Sequence, residues 1–478
     1  MPSLALPQSP PASPSWLKAF RDLPHTYGFQ PVKVEGRLPP ELEGTLVRVG
    51  PVTFGVGEQR YGHWFDGDGG VLAVRLGGGE ARAAARLIET PSIRAERTAG
   101  KVLFSNYGTP APTLWRRLFG GVKNAANTSA MTWNGRLFAL VEASRPTELL
   151  MDDLRTLGET DLDGLVGPAF SAHPHPVVPR KASYNFGVRY GAVTWLDLYE
   201  LPDDKPAVRH LGGLPLPGTV LVHDFIATAN HLVFLVAPMR MNLFRTMMGR
   251  GSLSENFEWK PELGTEVIVV PIDRPSKAVR FQAEPFHAWH FGNGFEQGGR
   301  IYIDFVRYPD FRTNQWLAEQ MKGWANTEID GTLHRATLDV KAGTLHCEQV
   351  SERRCEFPGV SPLRAGIRHR YVYLAGHVGR ETWRGPQDAV IKVDMDTGAE
   401  TVVRLGDEHH PSEPLFIPRP GGKAEDDGWL LIQGYDAAQD QSYIAVLDAK
   451  TPQSGPVARV VLEHVFPFTF HGTWVPKR

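Results

Sequence analysis

Apolar residues along this chain come in short bursts separated by polar and turn-forming residues. The clearest bursts are Arg136–Glu142 (RLFALVE), His231–Pro238 (HLVFLVAP), Arg300–Tyr308 (RIYIDFVRY), Tyr371–Gly376 (YVYLAG), Trp429–Gly434 (WLLIQG) and Ser442–Asp448 (SYIAVLD). Each is rich in β-branched and aromatic residues and bounded by Gly, Asp, Asn or Pro, which is the signature of a strand. Turn signals recur between them, as in Asp66-Gly67-Asp68-Gly69, Trp133-Asn134-Gly135, Lys341-Ala342-Gly343 and Asp396-Thr397-Gly398. Helical periodicity is scarce, and Trp316–Trp324 (WLAEQMKGW) is its best candidate. So many strands need an arrangement without long exposed edges; a β-propeller achieves this by radial repetition, and a multi-sheet sandwich is the other solution. Seven blades over residues 16–478 would take about 66 residues each, enough for large loops and helical insertions capping one face.

The ends and the composition narrow this all-β reading. The first fifteen residues (MPSLALPQSPPASPS) hold five prolines and no charge, so 1–15 reads as a disordered tail and 16–478 as a single domain. No apolar run is long enough to span a bilayer, and a cytoplasmic location is expected. The 51 basic and 53 acidic residues nearly cancel, which speaks against nucleic acid as a partner. The chain has 17 histidines but only two cysteines, Cys347 and Cys355, so any metal would be held by nitrogen and oxygen. Scarce thiols also suit a site that handles oxygen, where a nearby thiol would be at risk.

Four histidines stand at the edge of a strand-like run beside rigidifying neighbours: His173 in FSAHP, His223 in VHDF, His290 in HFGNGFE and His471 in FHGTW. The steps between them are 50, 67 and 181 residues, near one, one and three blade lengths. Inner strands of different blades converge on a propeller axis, so widely separated histidines can share an ion there. His175, His287 and the pair His409-His410 compete with them on proximity alone.

Ten blocks in this order resemble the carotenoid cleavage oxygenase family, from about Pro31 to Trp474. They are GTLVR with Gly50-Pro51, His63–Gly69 (HWFDGDG), Ala126-Asn127-Thr128, the run ending at Glu142, Ala172-His173-Pro174, His223-Asp224-Phe225, His290/Asn293/Glu296, Cys355–Pro358 (CEFP), Glu413–Pro418 (EPLFIP) with Glu425–Trp429 (EDDGW), and Phe470–Trp474 (FHGTW). The resemblance implies a seven-bladed propeller and a non-haem dioxygenase. It implies one Fe(2+) per chain held by His173, His223, His290 and His471, with Glu142, Glu356 and Glu413 orienting the imidazoles and O2 as co-substrate. The substrate would be a hydrophobic polyene, a carotenoid or apocarotenoid cleaved at a conjugated double bond to carbonyl products. His63 and the Asp66/Asp68 turn are expected to be structural; the turn lacks the distal Glu of a calcium loop.

Two insertions mix apolar and basic residues: Pro110–Gly121 (PAPTLWRRLFGG) and Pro238–Gly251 (PMRMNLFRTMMGRG). Leu118, Phe119, Leu243, Phe244, Met247 and Met248 are the candidates for peripheral contact with a membrane surface; a core helix or a lid over the cavity would use the same residues. The alternative function is stilbene cleavage. Stilbene-cleaving relatives carry a Lys just before the first of the three glutamates, where this chain has Val141, although Tyr107 resembles their other phenol-binding residue. A non-enzymatic propeller scaffold would bind no metal.

Overall fold

The structure, a computed structural model, describes residues 13–477. The expected tail lies mostly outside the described residues; its last residue, Ser15, already belongs to a helical turn, Ser15–Phe20, that buries Trp16, Ala19 and Phe20. The architecture is all-β. Every strand pairing in the sheets is antiparallel, and the strands follow one another as up-and-down meanders. The expected strands are present within one or two residues, for example Arg136–Leu140, His231–Val236, Arg300–Arg307, Tyr371–Gly376 and Gln441–Asp448. Asn134 and Gly135 both take positive φ (50° and 76°), the backbone that a two-residue hairpin turn demands, and Trp133 pairs with Arg136 across it.

The helix expected over Trp316–Trp324 lies instead at Thr313–Gln320. Its first turn is polar, so apolar spacing misses it, and Gly323 (φ +128°) lies just beyond its end.

Edge strands of successive sheets pack on one another and close a ring. Ser129–Trp133 touches His471–Pro476, which touches His409–Pro418, which touches Thr344–Gly359; Phe291–Gln297, Ile226–Ala227 and His175–Val177 continue the circuit. Ser129 Oγ donates to the carbonyl of Ala172, just ahead of His175–Val177, and completes it. The apolar core lies between the sheets rather than on the axis; Leu46, Leu72 and Val74 of the N-terminal strands interlock with Leu431, Ile444 and Val446 of the C-terminal ones. This leaves the ring's centre free for polar side chains.

The C-terminal strand His471–Pro476 pairs with Gly44–Thr53, in register from Gly44↔Pro476 to Val49↔His471, so the last residues of the chain complete the first sheet. Deleting residues 471–478 is expected to expose the edge of Gly44–Thr53 and lower Tm by roughly 5 °C or more. Thermal denaturation checks this, and an unchanged Tm would contradict the closure.

Candidate metal centre

The four histidines singled out in the sequence meet at one end of the ring. His173 sits in the loop before His175–Val177, His223 just before Ile226–Ala227, His290 just before Phe291–Gln297, and His471 opens the final strand. All four side chains are largely buried. His290 Nε2 lies 3.2 Å from His223 Nε2 and 3.1 Å from His471 Nε2. The His173 ring stands 4.4, 4.8 and 5.2 Å, centroid to centroid, from those of His223, His471 and His290, and its buried Nε2 has no hydrogen-bonding partner among the described residues.

The three glutamates take one histidine each. Glu142 Oε1 is 2.7 Å from His223 Nδ1, Glu356 Oε2 is 2.6 Å from His290 Nδ1, and Glu413 Oε1 is 2.8 Å from His471 Nδ1. An ionised carboxylate only accepts, so each Nδ1 carries the proton and each Nε2 presents its lone pair to the common point. Glu356 and Glu413 lie where an extra residue interrupts the strand register, between Glu356 and Gly359 and between Pro411 and Pro414. Such bulges re-aim a side chain off the regular pleat. At the first of them Phe357 takes positive φ (57°) and lays its ring on His290, 5.3 Å between centroids at 26°.

Residues without a predicted role hold this frame. Arg48, fully buried, gives one N–H to Glu413 Oε2 at 2.6 Å, another to Thr469 Oγ1 at 3.0 Å and a third to the carbonyl of Phe470 at 2.9 Å. Tyr308 donates its hydroxyl to Glu356 Oε1 at 2.8 Å. Asp224 accepts from the backbone N–H groups of Phe225 and Phe291, tying the segment that bears His223 to the one that bears His290. A charged or hydroxyl-bearing residue inside an apolar run, as Arg48 is in GTLVRVG, is the sequence signal that marks such groups.

Burial alone would raise the carboxyls of Glu142, Glu356 and Glu413, but their imidazole partners hold all three below the usual range. Burial and the neighbouring imidazoles push His173 well below its ordinary value, and burial lowers His471 despite Glu413. For His290 burial also disfavours the cation, but Glu356 outweighs it and the value rises. Burial thus favours the neutral, metal-binding form of His173 and His471.

The donor set fits a divalent transition metal. Imidazole nitrogens this close, with His290 Nε2 3.2 Å from that of His223 and 3.1 Å from that of His471, suit a transition ion that accepts nitrogen donors.

With the fold and this geometry in hand, comparison with known proteins is decisive. The family model described as RPE65, retinal pigment epithelial membrane protein, matches residues 20–476. An apocarotenoid-15,15'-oxygenase of Synechocystis sp. is 31% identical over 478 residues, covering 96% of each chain. A carotenoid cleavage oxygenase of Mycobacterium tuberculosis is 26% identical, with 93% of each chain covered. The crystal structure of cobalt-substituted Synechocystis ACO superposes with a TM-score of 0.89 at 31% identity, covering 97% of this chain and 98% of that one. The chain belongs to the RPE65/carotenoid cleavage oxygenase family.

In this family member His175, His409 and His410 have partners elsewhere, and neither ring nitrogen of His287 finds one among the described residues. His175 Nε2 is 2.8 Å from Asp224 Oδ1; His287 is buried among Trp289, Tyr308 and Phe311; His409 is bound between Tyr443 and Asp436, and His410 faces the carbonyl of Gln387. His63 and Asp66 form the expected structural turn: His63 Nδ1 accepts from Phe65 N–H, and Asp66 Oδ2 from His63 N–H and the Thr109 hydroxyl. Asp68 joins Glu96 on the buried ammonium of Lys123. Asn293 ties the 364–369 loop down through Gly366, Arg364, Ile367 and His369, and Glu296 binds Thr228, Asn230 and His231.

Replacing Glu356 by Gln keeps the shape but removes the charge that orients His290. Metal affinity of Glu356→Gln, measured by chelator competition, is expected to fall about 10–100-fold; an unchanged affinity would show that the pair does not act on the metal.

Proposed function

We propose that residues 16–478 form one seven-bladed propeller domain that binds Fe(2+) and uses O2 to cleave a conjugated C=C bond of a carotenoid or apocarotenoid to two carbonyl fragments. The observation that carries this reading is the convergence of four imidazoles, three of which, His223, His290 and His471, line an apolar cavity of about 560 Å³. That volume lies within the range of about 300–1,000 Å³ that accommodates ligands of this size. His173, His223, His290 and His471 would hold the iron, which when bound supplies dioxygen activation at the double bond.

The chain's own contribution is binding and orientation. Phe65, Phe257, Trp289, Phe357 and Phe470 give the cavity aromatic walls, and the charged groups on its lining, Lys123, Glu142, Arg354 and Glu356, are engaged with partners of their own, so a polyene is held by shape. Those walls also exclude water from the reacting bond. The reaction balances without an outside reductant, because both oxygen atoms of O2 end in the two new carbonyls. A phenolic stilbene is served less well: Val141 lines the cavity where a cation would be needed, and the Tyr107 hydroxyl already donates to Asn314 Oδ1 at 2.9 Å.

Substrate delivery follows from the two insertions. They form short helices, Leu114–Phe119 and Leu243–Met247, with no buried residue in either. A side chain on Gly249 would run into Leu114, and Arg117 donates to the carbonyl of Gly249, so the two helices lie side by side. Phe119 and Phe244 are each 71% exposed; Leu118, Met247 and Met248 are exposed beside them. Leu243 and Val122 are exposed yet also line the cavity, which places its mouth at this patch. Among the described residues no helix is long and apolar enough to cross a membrane. The patch is therefore read as a peripheral contact through which a lipid-dissolved polyene enters.

Two experiments test these readings. Aerobic incubation of the Fe(2+)-loaded protein with β-apo-carotenals, carotenes and resveratrol is expected to give paired carbonyl fragments from a polyene by product mass, with one iron per chain that is lost in His223→Ala. Cleavage of resveratrol alone would transfer the assignment to stilbenes, and absence of both product and metal would leave a scaffold. Separately, Leu243→Ser with Phe244→Ser is expected to keep fold and iron but weaken liposome flotation several-fold; unaltered flotation would reject the membrane contact.

A further inference from the structure

The cavity that reaches the metal-facing nitrogens has one polar corner that the proposed reaction does not use. Strand Thr344–Gly359 carries Glu356 toward His290; two residues earlier, about 7 Å along the strand, the carbonyl of Arg354 accepts the backbone N–H of His377 at 2.9 Å. His377 directly follows strand Tyr371–Gly376 and lines the same cavity as His290 and His471. Its side chain is buried (3% exposed), and its Nε2 meets no hydrogen-bonding partner among the described residues. A buried polar nitrogen facing a cavity without a partner costs free energy unless a ligand or water completes it.

The chemistry of that partner follows from the other ring nitrogen. His377 Nδ1 lies 3.3 Å from Thr382 Oγ1. The Thr382 hydroxyl has a single proton and gives it to the carbonyl of Gly379 at 3.0 Å. Asp388, the other acceptor beside that hydroxyl, competes for the same proton. Either way the Thr382 oxygen acts toward His377 as an acceptor, so Nδ1 carries the imidazole proton and Nε2 is a bare lone pair. Burial and the nearby Arg354 cation, with His410 behind them, push the His377 pKa down to about 3, so the ring stays neutral near neutral pH. Arg354 is itself ion-paired with Glu328 at 2.5 Å and Asp330 at 3.4 Å. What the corner needs is therefore a neutral hydrogen-bond donor, and neither a carboxylate nor an aldehyde oxygen supplies one.

We propose that His377 is a specificity-determining residue whose Nε2 accepts a hydrogen bond from a hydroxyl group at one end of the polyene, making a terminally hydroxylated carotenoid or apocarotenoid the preferred substrate. This rests on the polyene-cleaving reading above. The alternative occupant is a water entering from the shallow surface pocket that Arg354 and His377 share with Arg353 and Glu400. A water would satisfy Nε2 with any substrate and so predicts no discrimination.

The test compares 3-hydroxy-β-apo-8'-carotenal with β-apo-8'-carotenal on the iron-loaded full chain. The kcat/KM ratio is expected to favour the hydroxylated compound about tenfold. In His377→Leu the ratio should collapse toward one, whereas His377→Gln, which keeps an acceptor oxygen, should retain most of it. Circular dichroism and iron content establish that both variants fold. A wild-type ratio near one, or the same ratio in wild type and His377→Leu, overturns the proposal. If neither compound is cleaved, the oxygenase reading has failed, but the ligand pair still decides: Kd values from tryptophan quenching that differ about tenfold in wild type and converge in His377→Leu support the hydroxyl contact, and equal Kd values in wild type reject it.

Discussion

An imidazole can present a lone pair to a metal only if its other nitrogen holds the proton, and this centre meets that requirement with three short contacts to carboxylates. Glu142, Glu356 and Glu413 take the Nδ1 protons of His223, His290 and His471, and the three rings can then turn Nε2 inward. The arrangement carries its own cost, because three buried carboxylates must be stabilised. For Glu356 and Glu413, backbone N–H groups of Phe357 and Gly472, the Tyr308 hydroxyl and the Arg48 guanidinium meet it. A divalent ion together with Arg48 would balance the three negative charges, so Arg48 belongs to the electrostatics of the centre as much as to the strand that carries it. His173 alone has no carboxylate within hydrogen-bonding distance, Glu142 Oε1 standing 4.0 Å from its Nε2; Ser171 Oγ accepts its backbone N–H at 3.1 Å.

The ring of edge strands explains how residues hundreds of positions apart are brought together. Each of the four histidines stands at or just before an edge strand, and at the same end of the ring. Apolar packing is confined to the spaces between sheets, so polar groups on the axis do not compete with the core for volume. Local irregularity is confined as well. The register shifts beside His290, Glu356 and Glu413 lie next to the cluster and aim side chains that a regular pleat would have sent elsewhere.

The strands were legible because their signal is local: six apolar bursts with turn residues on either side are enough, and each is found within two residues of its expected ends. The four histidines were legible only through the ordered set of blocks. Local setting could not separate His173 from His175, two residues on, because what separates them is Asp224, which occupies His175 and lies 49 residues away. Arg48 and Glu413 are 365 positions apart, and nothing in either neighbourhood names the other. The unmet Nε2 of His377 was invisible for the same reason: it depends on where a cavity wall falls and on which way the Thr382 hydroxyl points. Candidate membrane residues stood out as an apolar and basic mixture, but only the contact between Arg117 and Gly249 makes two insertions into one patch.

The expectation about thiols needs revision in an informative way. Two cysteines in 478 residues suggested that thiols are kept away from the oxygen-handling site, yet Cys355 is the immediate neighbour of Glu356 and lines the cavity. Its environment gives the physical reason that it can stay. Burial, reinforced by the charge of Glu356, pushes the thiol well above its ordinary range. The thiolate, which is the form that oxidants and metals attack, is thereby suppressed, and what remains behaves as a small apolar side chain in the wall. Burial, with the carboxylate that fixes the His290 tautomer adding to it, thus keeps the neighbouring sulfur protonated, so protection comes from its surroundings rather than from the absence of sulfur.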